Sequence, residues 1–281
     1  MIIDTHVHFY DPTRPQGVPW PSPDDKVLYR QVLPEHYKVL AVPQGVTGAV
    51  VVEASEWVED NQWILDMAAH EPFIVGFVGH LQPGSEEFGR NLERFTANPL
   101  FRGIRPRGAD LKKMREGRFL NNVEKLTAKD LELDVLVGPD GLSDVASLAE
   151  CIPELRIVIN HVACVRIDGK ALDAVWVEGM QRAAEPPNVY CKVSGLVETT
   201  AHRPAPADVG YYTPTLDILW EAFGEDRLVY GSNWPVSERF ADYASVQRIV
   251  TEYFEVKGKE AVEKCFWKNA KVAYKWIDRG E

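Results

Sequence analysis

Short apolar runs alternate with longer amphipathic stretches along the whole chain. Eight runs of strand type fall at 2–7, 48–53, 73–79, 101–105, 133–137, 156–160, 188–194 and 227–231. Between them the spacing predicts helices at 35–40, 60–70, 85–96, 119–131, 142–150, 172–184 and 214–223, followed by 243–254 and 259–276. A strand that returns parallel to its predecessor needs a crossover of a dozen or more residues, and each predicted helix supplies one. Runs such as Ala49-Val50-Val51-Val52 and Ile157-Val158-Ile159 are apolar without alternation, as expected for parallel strands covered on both faces. Eight such units predict an α/β fold, a distorted (β/α)8 TIM barrel over 1–281 as one domain, with a C-terminal helix. An open doubly wound sheet is the competing fold, but no Gly-X-Gly-X-X-Gly turn follows the first strand.

Two connections are too long for the rhythm. Residues 9–34, with Trp20 among prolines and aspartates, and 196–213, with Tyr211-Tyr212, follow strands 1 and 7. Long loops in compact domains are usually functional, so both are expected to cover a site.

In such a barrel, chemistry sits at the carboxyl ends of the strands. The polar residues read there are His6 and His8, Glu53, His80, Arg105, a Gly138-Pro139-Asp140 turn, His161, Lys192 with Ser194, and Asn233. Positions i and i+2 of a strand share a face, so His6 and His8 are expected to converge on one point as ligands of a metal or a substrate. Arg105 at a barrel mouth needs an anion or carbonyl oxygen, with a salt bridge to Glu53 as the alternative. Glu53 itself can ligate a metal, orient a histidine or neutralise Arg105. Lys192 is expected in the site. Trp20, Trp234 and the paired tyrosines offer flat faces for a sugar ring.

Composition narrows the field. Apolar residues make up 45% of the 281-residue chain and charged residues 26%, which is enough for a large core. The net charge of −11 disfavours nucleic acid and anionic membranes as partners. No stretch of about 18 apolar residues and no basic start at Met1-Ile2-Ile3-Asp4 is present, so the expected compartment is the cytoplasm. Cys151, Cys164, Cys191 and Cys265 form no Cys-X-X-Cys pair; Cys164, three residues after His161, is the one placed near the expected site.

The motifs, in order, resemble the amidohydrolase superfamily, and within it the amidohydrolase-2 branch of sugar lactonases and pyrone-dicarboxylate lactonases. They are Asp4-Thr5-His6-Val7-His8-Phe9-Tyr10, Trp20-Pro21, Arg102-Gly103-Ile104-Arg105, Leu133-Asp134-Val135-Leu136-Val137, the segment from Pro153 to His161, Cys191-Lys192-Val193-Ser194-Gly195-Leu196, and the segment from Asp226 to Val236. The resemblance implies His6, His8 and His161 as ligands of a divalent metal, zinc or manganese, or of the substrate. It also implies an acidic residue after strand 8 as ligand and general base. That position is Asn233, an amide that cannot carry a proton away at neutral pH.

The implied activity is hydrolysis of a sugar-derived lactone, with Asn233, His161, His80 and Glu53 as catalytic candidates and Arg105, Lys192, Trp20 and Trp234 as substrate-binding ones. A metal-bound hydroxide and a metal-free route through hydrogen bonds both stay open. So do a metal-dependent decarboxylase and a ligand-binding barrel with a degraded site. The expected partner is a small-molecule substrate, with self-association unresolved.

Overall fold

The computed structural model describes residues 1–106, 111–170 and 172–280. Eight parallel strands pair in chain order: β1 (Ile3–Val7), β2 (Gly48–Val52), β3 (Ile74–Gly79), β4 (Phe101–Ile104), β5 (Glu132–Val135), β6 (Arg156–Ile159), β7 (Val189–Val193) and β8 (Leu228–Tyr230). Eight helices ring them: α1 (Pro34–Ala41), α2 (Val58–His70), α3 (Phe88–Thr96), α4 (Gly117–Ala128), α5 (Leu142–Cys151), α6 (Ala174–Ala184), α7 (Thr213–Phe223) and α8 (Tyr243–Lys257). The architecture is the (β/α)8 barrel expected from the alternation.

Between β8 and β1 the barrel closes largely through side chains. The Thr5 hydroxyl donates to the Tyr230 carbonyl at 2.5 Å, and the His8 amide donates to the Trp234 carbonyl at 2.9 Å. Asp4, fully buried, accepts from the Ser232 amide (2.8 Å) and from the hydroxyls of Tyr37 on α1 (2.7 Å) and Tyr243 on α8 (3.0 Å). One carboxylate therefore ties the first strand to the loop after the last. The β1–β2 register shifts between Asp4 and Val7. This bulge lets Asp4 reach outward to the helix tyrosines although His6, two residues on, meets side chains from β4 and β7 inside the barrel.

Most element boundaries differ from the expected ones by one to three residues. The segment expected as one helix over 259–276 is interrupted: α9 (Lys259–Glu263) passes through a wide turn at Lys264–Lys268 into α10 (Asn269–Ala273). The helix widens where Phe266 packs on Tyr230, ring centroids 4.8 Å apart, and Asn269 donates to the carbonyls of Glu225 and Leu228. Beyond it, Tyr274 and Trp276 join a buried cluster with Ile3, Val50, Val75, Val158 and Val229, so the chain's own C-terminal segment plugs the barrel floor. The two long loops are well anchored. The first is closed by reciprocal bonds between Tyr10 and Val32 and by the Arg14–Asp60 ion pair to α2, and the second is bridged to the loop after β6 through Ile167 and Thr200.

Candidate active site

A cavity of about 490 Å³ opens at the carboxyl ends of the strands, within the range that holds one small ligand. Its wall includes His8, Trp20, Glu53, Arg105, His161, Cys164 and Asn233. His6 lies beneath, its ring centroid 4.9 Å from that of His8 and 4.4 Å from that of His161. Residues from β1, the loop after β6 and the loop after β8 thus meet at one place.

The β6 connection explains how His161 gets there. His161, Val162, Ala163 and Cys164 all have φ between 47° and 55°, one left-handed turn built without glycine. Such a turn costs roughly 1–2 kcal/mol per residue and persists only where the surroundings enforce it. Trp176 of α6 donates its indole N–H to the Val162 carbonyl at 2.8 Å, and the Ala163 amide donates to the Asn160 carbonyl. Gly195 (φ +67°) faces the turn; a Cβ there would lie 2.6 Å from the His161 Cβ. Glycine is therefore required for His161 to sit against β7, where its Nδ1 is 2.8 Å from the Ser194 hydroxyl. Burial, then the charges of Arg105 and Lys192, hold the His161 pKa well below its ordinary value, so the ring is neutral at pH 7.

Arg105 is fixed before any ligand arrives. Its Nε donates to Glu53 Oε1 at 2.9 Å and its Nη2 to the Glu53 carbonyl at 2.8 Å, leaving Nη1 3.3 Å from His6 Nε2 and 3.5 Å from Asn160 Oδ1. Of the three roles open to Glu53, the geometry gives it the neutralisation and aiming of Arg105. The sequence alternatives of substrate binding or a salt bridge for Arg105 are not exclusive, since the paired guanidinium still forms part of the cavity wall.

Lys192 is fully buried rather than cavity-facing, which corrects its expected contact with substrate. Its Nζ is 2.8 Å from Asp134 Oδ2 and 2.9 Å from His6 Nδ1. Tyr274, rising from the floor plug, donates to the other Asp134 oxygen at 2.9 Å. Beside Asp134, Glu132 is buried with its pKa pushed well above the carboxylate range by burial and then by the Asp134 charge, so it stays protonated. Gly103 makes room for it: a Cβ at that position would fall 1.9 Å from Glu132 Oε1. Lys192 is thus the support beneath His6.

Trp234 also departs from expectation. Only 1% exposed, it packs on Tyr37 and Phe9 and donates its indole N–H to Glu238, so it presents no face to a sugar ring. Its hydrophobicity outweighs its position next to Asn233. His80 follows β3 with its backbone clamped by Asn61 of α2, which accepts from its amide at 2.8 Å and donates to its carbonyl at 2.9 Å; it is not part of the cavity wall among the described residues. Tyr212 is buried, and Tyr211 packs over Gly169 with its hydroxyl on the Ile167 carbonyl. Trp20 does reach the cavity, its ring centroid 5.9 Å from that of His8. Cys164 lines the cavity as well, but loss of water around its sulphur, then the Glu198 carboxylate, raises its pKa, so it is a thiol at neutral pH.

Glu198 is the residue sequence reasoning misses. It follows Cys191-Lys192-Val193-Ser194-Gly195-Leu196 by two positions, in a loop with no strand or helix to assign its direction. In space it accepts from Asn233 Nδ2 at 2.7 Å. Its place as a charged residue two positions beyond that motif is the signal in the sequence that could have found it.

Arg105 Nη1, which can only donate, stands 3.3 Å from His6 Nε2 and Lys192 Nζ stands 2.9 Å from Nδ1, although a neutral imidazole accepts at only one of the two nitrogens. His8 Nδ1 is 2.9 Å from the Val52 carbonyl. Among the described residues, no group of three His, Cys, Asp or Glu side chains is arranged to hold a metal ion. As placed, the three histidines do not fit one, because the first is already bracketed by two cationic side chains.

Comparison with known proteins agrees with this architecture. The Amidohydrolase family (Amidohydro_2) matches residues 3–276. An L-fucono-1,5-lactonase of Burkholderia ambifaria is 32% identical over 252 residues, covering 86% of this chain and 84% of the relative. Another of the same name, from Burkholderia multivorans, is 28% identical, covering 94% and 92%. Among solved structures, an amidohydrolase from Burkholderia multivorans with bound HEPES superposes with a TM-score of 0.89 at 26% identity, over 98% of this chain and 99% of that one, and a second crystal form of it contains zinc. A manganese-containing dihydroxybenzoic acid decarboxylase from Polaromonas, with a TM-score of 0.61 at 15% identity and coverage of 98% and 96%, shares the fold alone. With the family matched over nearly its whole length, and with its histidines gathered at the mouth of a (β/α)8 barrel, the chain belongs to the amidohydrolase family.

Proposed function

We propose that the protein hydrolyses a sugar-derived lactone by attack of water on the ring carbonyl, in cytoplasmic carbohydrate breakdown. The observation that carries this reading is the Arg105 guanidinium, aimed by two bonds from Glu53 into a cavity of single-ring size that also holds a neutral histidine. The lactonase names of the two Burkholderia relatives support it. A zinc or manganese ion, as the resemblance implies, would have to take one His6 ring nitrogen from the cationic side chain that stands at it, so the steps below use only the chain's own residues.

Opening a lactone develops negative charge on the carbonyl oxygen as water adds, and a fixed cation at that point is among the strongest contributions a site can make. Arg105 supplies it. Because Glu53 holds the guanidinium before substrate binds, no reorganisation is required at the moment of reaction. Neutral His161 takes the proton from the attacking water, and Ser194 at Nδ1 sets the ring's orientation. The carbonyl–ring oxygen bond then breaks, and His161 returns the proton to the departing alkoxide. The same environment that weakens imidazole as a base makes imidazolium a strong acid, which suits the second transfer. Trp20 offers an apolar ring to one face of the sugar.

A panel of aldonolactones with five- and six-membered rings, followed by acid release in a pH-indicator assay, tests the reading. At least one six-membered sugar lactone is expected to open well above the spontaneous rate. Folded protein that accelerates none of the panel overturns it.

A further inference from the structure

Four consecutive residues after β6 hold a backbone conformation that glycine usually supplies, and the first of them is the proposed base. His161, Val162, Ala163 and Cys164 have φ of 52°, 47°, 55° and 52°, and Val162 is β-branched, the side-chain class least suited to that region. Val162 and Ala163 are fully buried. The Val162 carbonyl is met from outside the turn, where Trp176 donates its indole N–H at 2.8 Å. Trp176 is itself buried in the first turn of α6, and its backbone amide donates to the Asp173 carboxylate at 3.1 Å, so the indole is aimed from a capped helix end. At the start of the turn His161 rests against Gly195, with Nδ1 2.8 Å from the Ser194 hydroxyl.

We propose that Trp176 is a positioning residue for His161: its indole N–H holds the left-handed turn closed and so keeps the imidazole at the cavity wall. A turn of this kind competes with relaxed conformers in which φ returns to negative values, and its population depends on contacts made only in the strained form. The indole bond is one of them. Strain at four residues offsets much of what such contacts supply, so the turn is closed by a narrow margin. Relaxation would swing His161 away from Ser194 and Gly195, because its side chain leaves the backbone at the first of the four positions. Removing one hydrogen bond shifts such an equilibrium by roughly two- to tenfold. Among the described residues Trp176 is not part of the cavity wall, so its effect passes through the turn. The consequence for turnover rests on the hydrolase reading; the hold on the turn does not.

Two full-length variants remove the donor: Trp176→Phe, and a protein with 3-benzothienylalanine in place of Trp176, in which sulphur replaces the N–H and the ring keeps its shape. Hydrogen–deuterium exchange of the 160–165 segment, read by mass spectrometry without substrate, should quicken roughly fivefold in both while the barrel strands exchange as in the wild type. Adding Ala163→Gly, which adopts a left-handed φ without steric cost, should return that exchange toward the wild-type rate. If a lactone from the panel is turned over, kcat should fall roughly fivefold in both variants with KM held within about twofold. Ala163→Gly should restore kcat to Trp176→Phe and change the wild type by less than about twofold. Wild-type exchange in the benzothienylalanine protein overturns the proposal. So does a kcat deficit in Trp176→Phe that the isostere lacks or that Ala163→Gly leaves unrepaired, since either result assigns Trp176 to packing alone. Should Trp176→Phe fail to fold, the isostere carries the test. Failure of the entire lactone panel would reject the proposed reaction and leave the exchange measurement to decide.

Discussion

The two ends of the barrel are held by opposite means. At the floor, Tyr274 and Trp276 from the C-terminal segment pack against Ile3, Val50, Val75, Val158 and Val229, and hydrophobic burial does nearly all the stabilising. At the mouth, position is set by directional polar contacts: Glu53 on Arg105, Lys192 on His6, Ser194 on His161 and Glu198 on Asn233. Between them lies a layer that belongs to both, where Tyr274 bonds Asp134 from below and Asp134 pairs with Lys192 under His6. The floor can therefore lose stability without a change in chemistry, whereas at the mouth the buried charges couple the two.

The largest effect is expected at the mouth. Arg105→Ala removes the charge proposed to meet the developing oxyanion, and kcat/KM on any lactone substrate should fall roughly 10³-fold. It also breaks the buried Arg105–Glu53 ion pair, so chemical denaturation should show a loss of about 3 kcal/mol. A variant retaining a tenth or more of wild-type kcat/KM would show that the mouth's chemistry does not depend on this group.

At the floor the expected change is in stability alone. Trp276→Ala opens a cavity under the barrel and should cost roughly 3–5 kcal/mol in urea unfolding, with kcat and KM at low temperature unaltered. Altered kinetic constants in the folded variant would mean that the two ends communicate more strongly than their contacts imply.

The smallest effect is expected at Cys164. Its thiol lines the cavity but is protonated at neutral pH, so Cys164→Ser should hold kcat/KM within about twofold, and stoichiometric thiol reagent at pH 7 should modify it slowly. Rapid modification would reveal a thiolate and return this residue to the chemistry.

Much of the architecture was legible because it depends on period and length. Apolar runs of strand length separated by amphipathic stretches leave few alternatives to a parallel barrel, and the polar residues at strand ends pointed to His6, His8, Arg105 and His161. Direction was less legible. Lys192 and Trp234 sit beside residues of the cavity wall in the sequence, yet one is buried beneath His6 and the other faces α1. A one-residue bulge in β1 or a positive φ at Asn233 turns a side chain by a large angle without altering the hydrophobic pattern.

The sequence by itself determined the strand count, the parallel order and the polar character of the barrel mouth, since these follow from which residues must leave water and how far apart they lie. Only the tertiary structure decided that Glu198 partners Asn233, that two cations bracket His6, and that the C-terminal segment seals the floor. The polar contacts among these join residues 35 to 186 positions apart in the chain, so their geometry exists only once the barrel has closed around them.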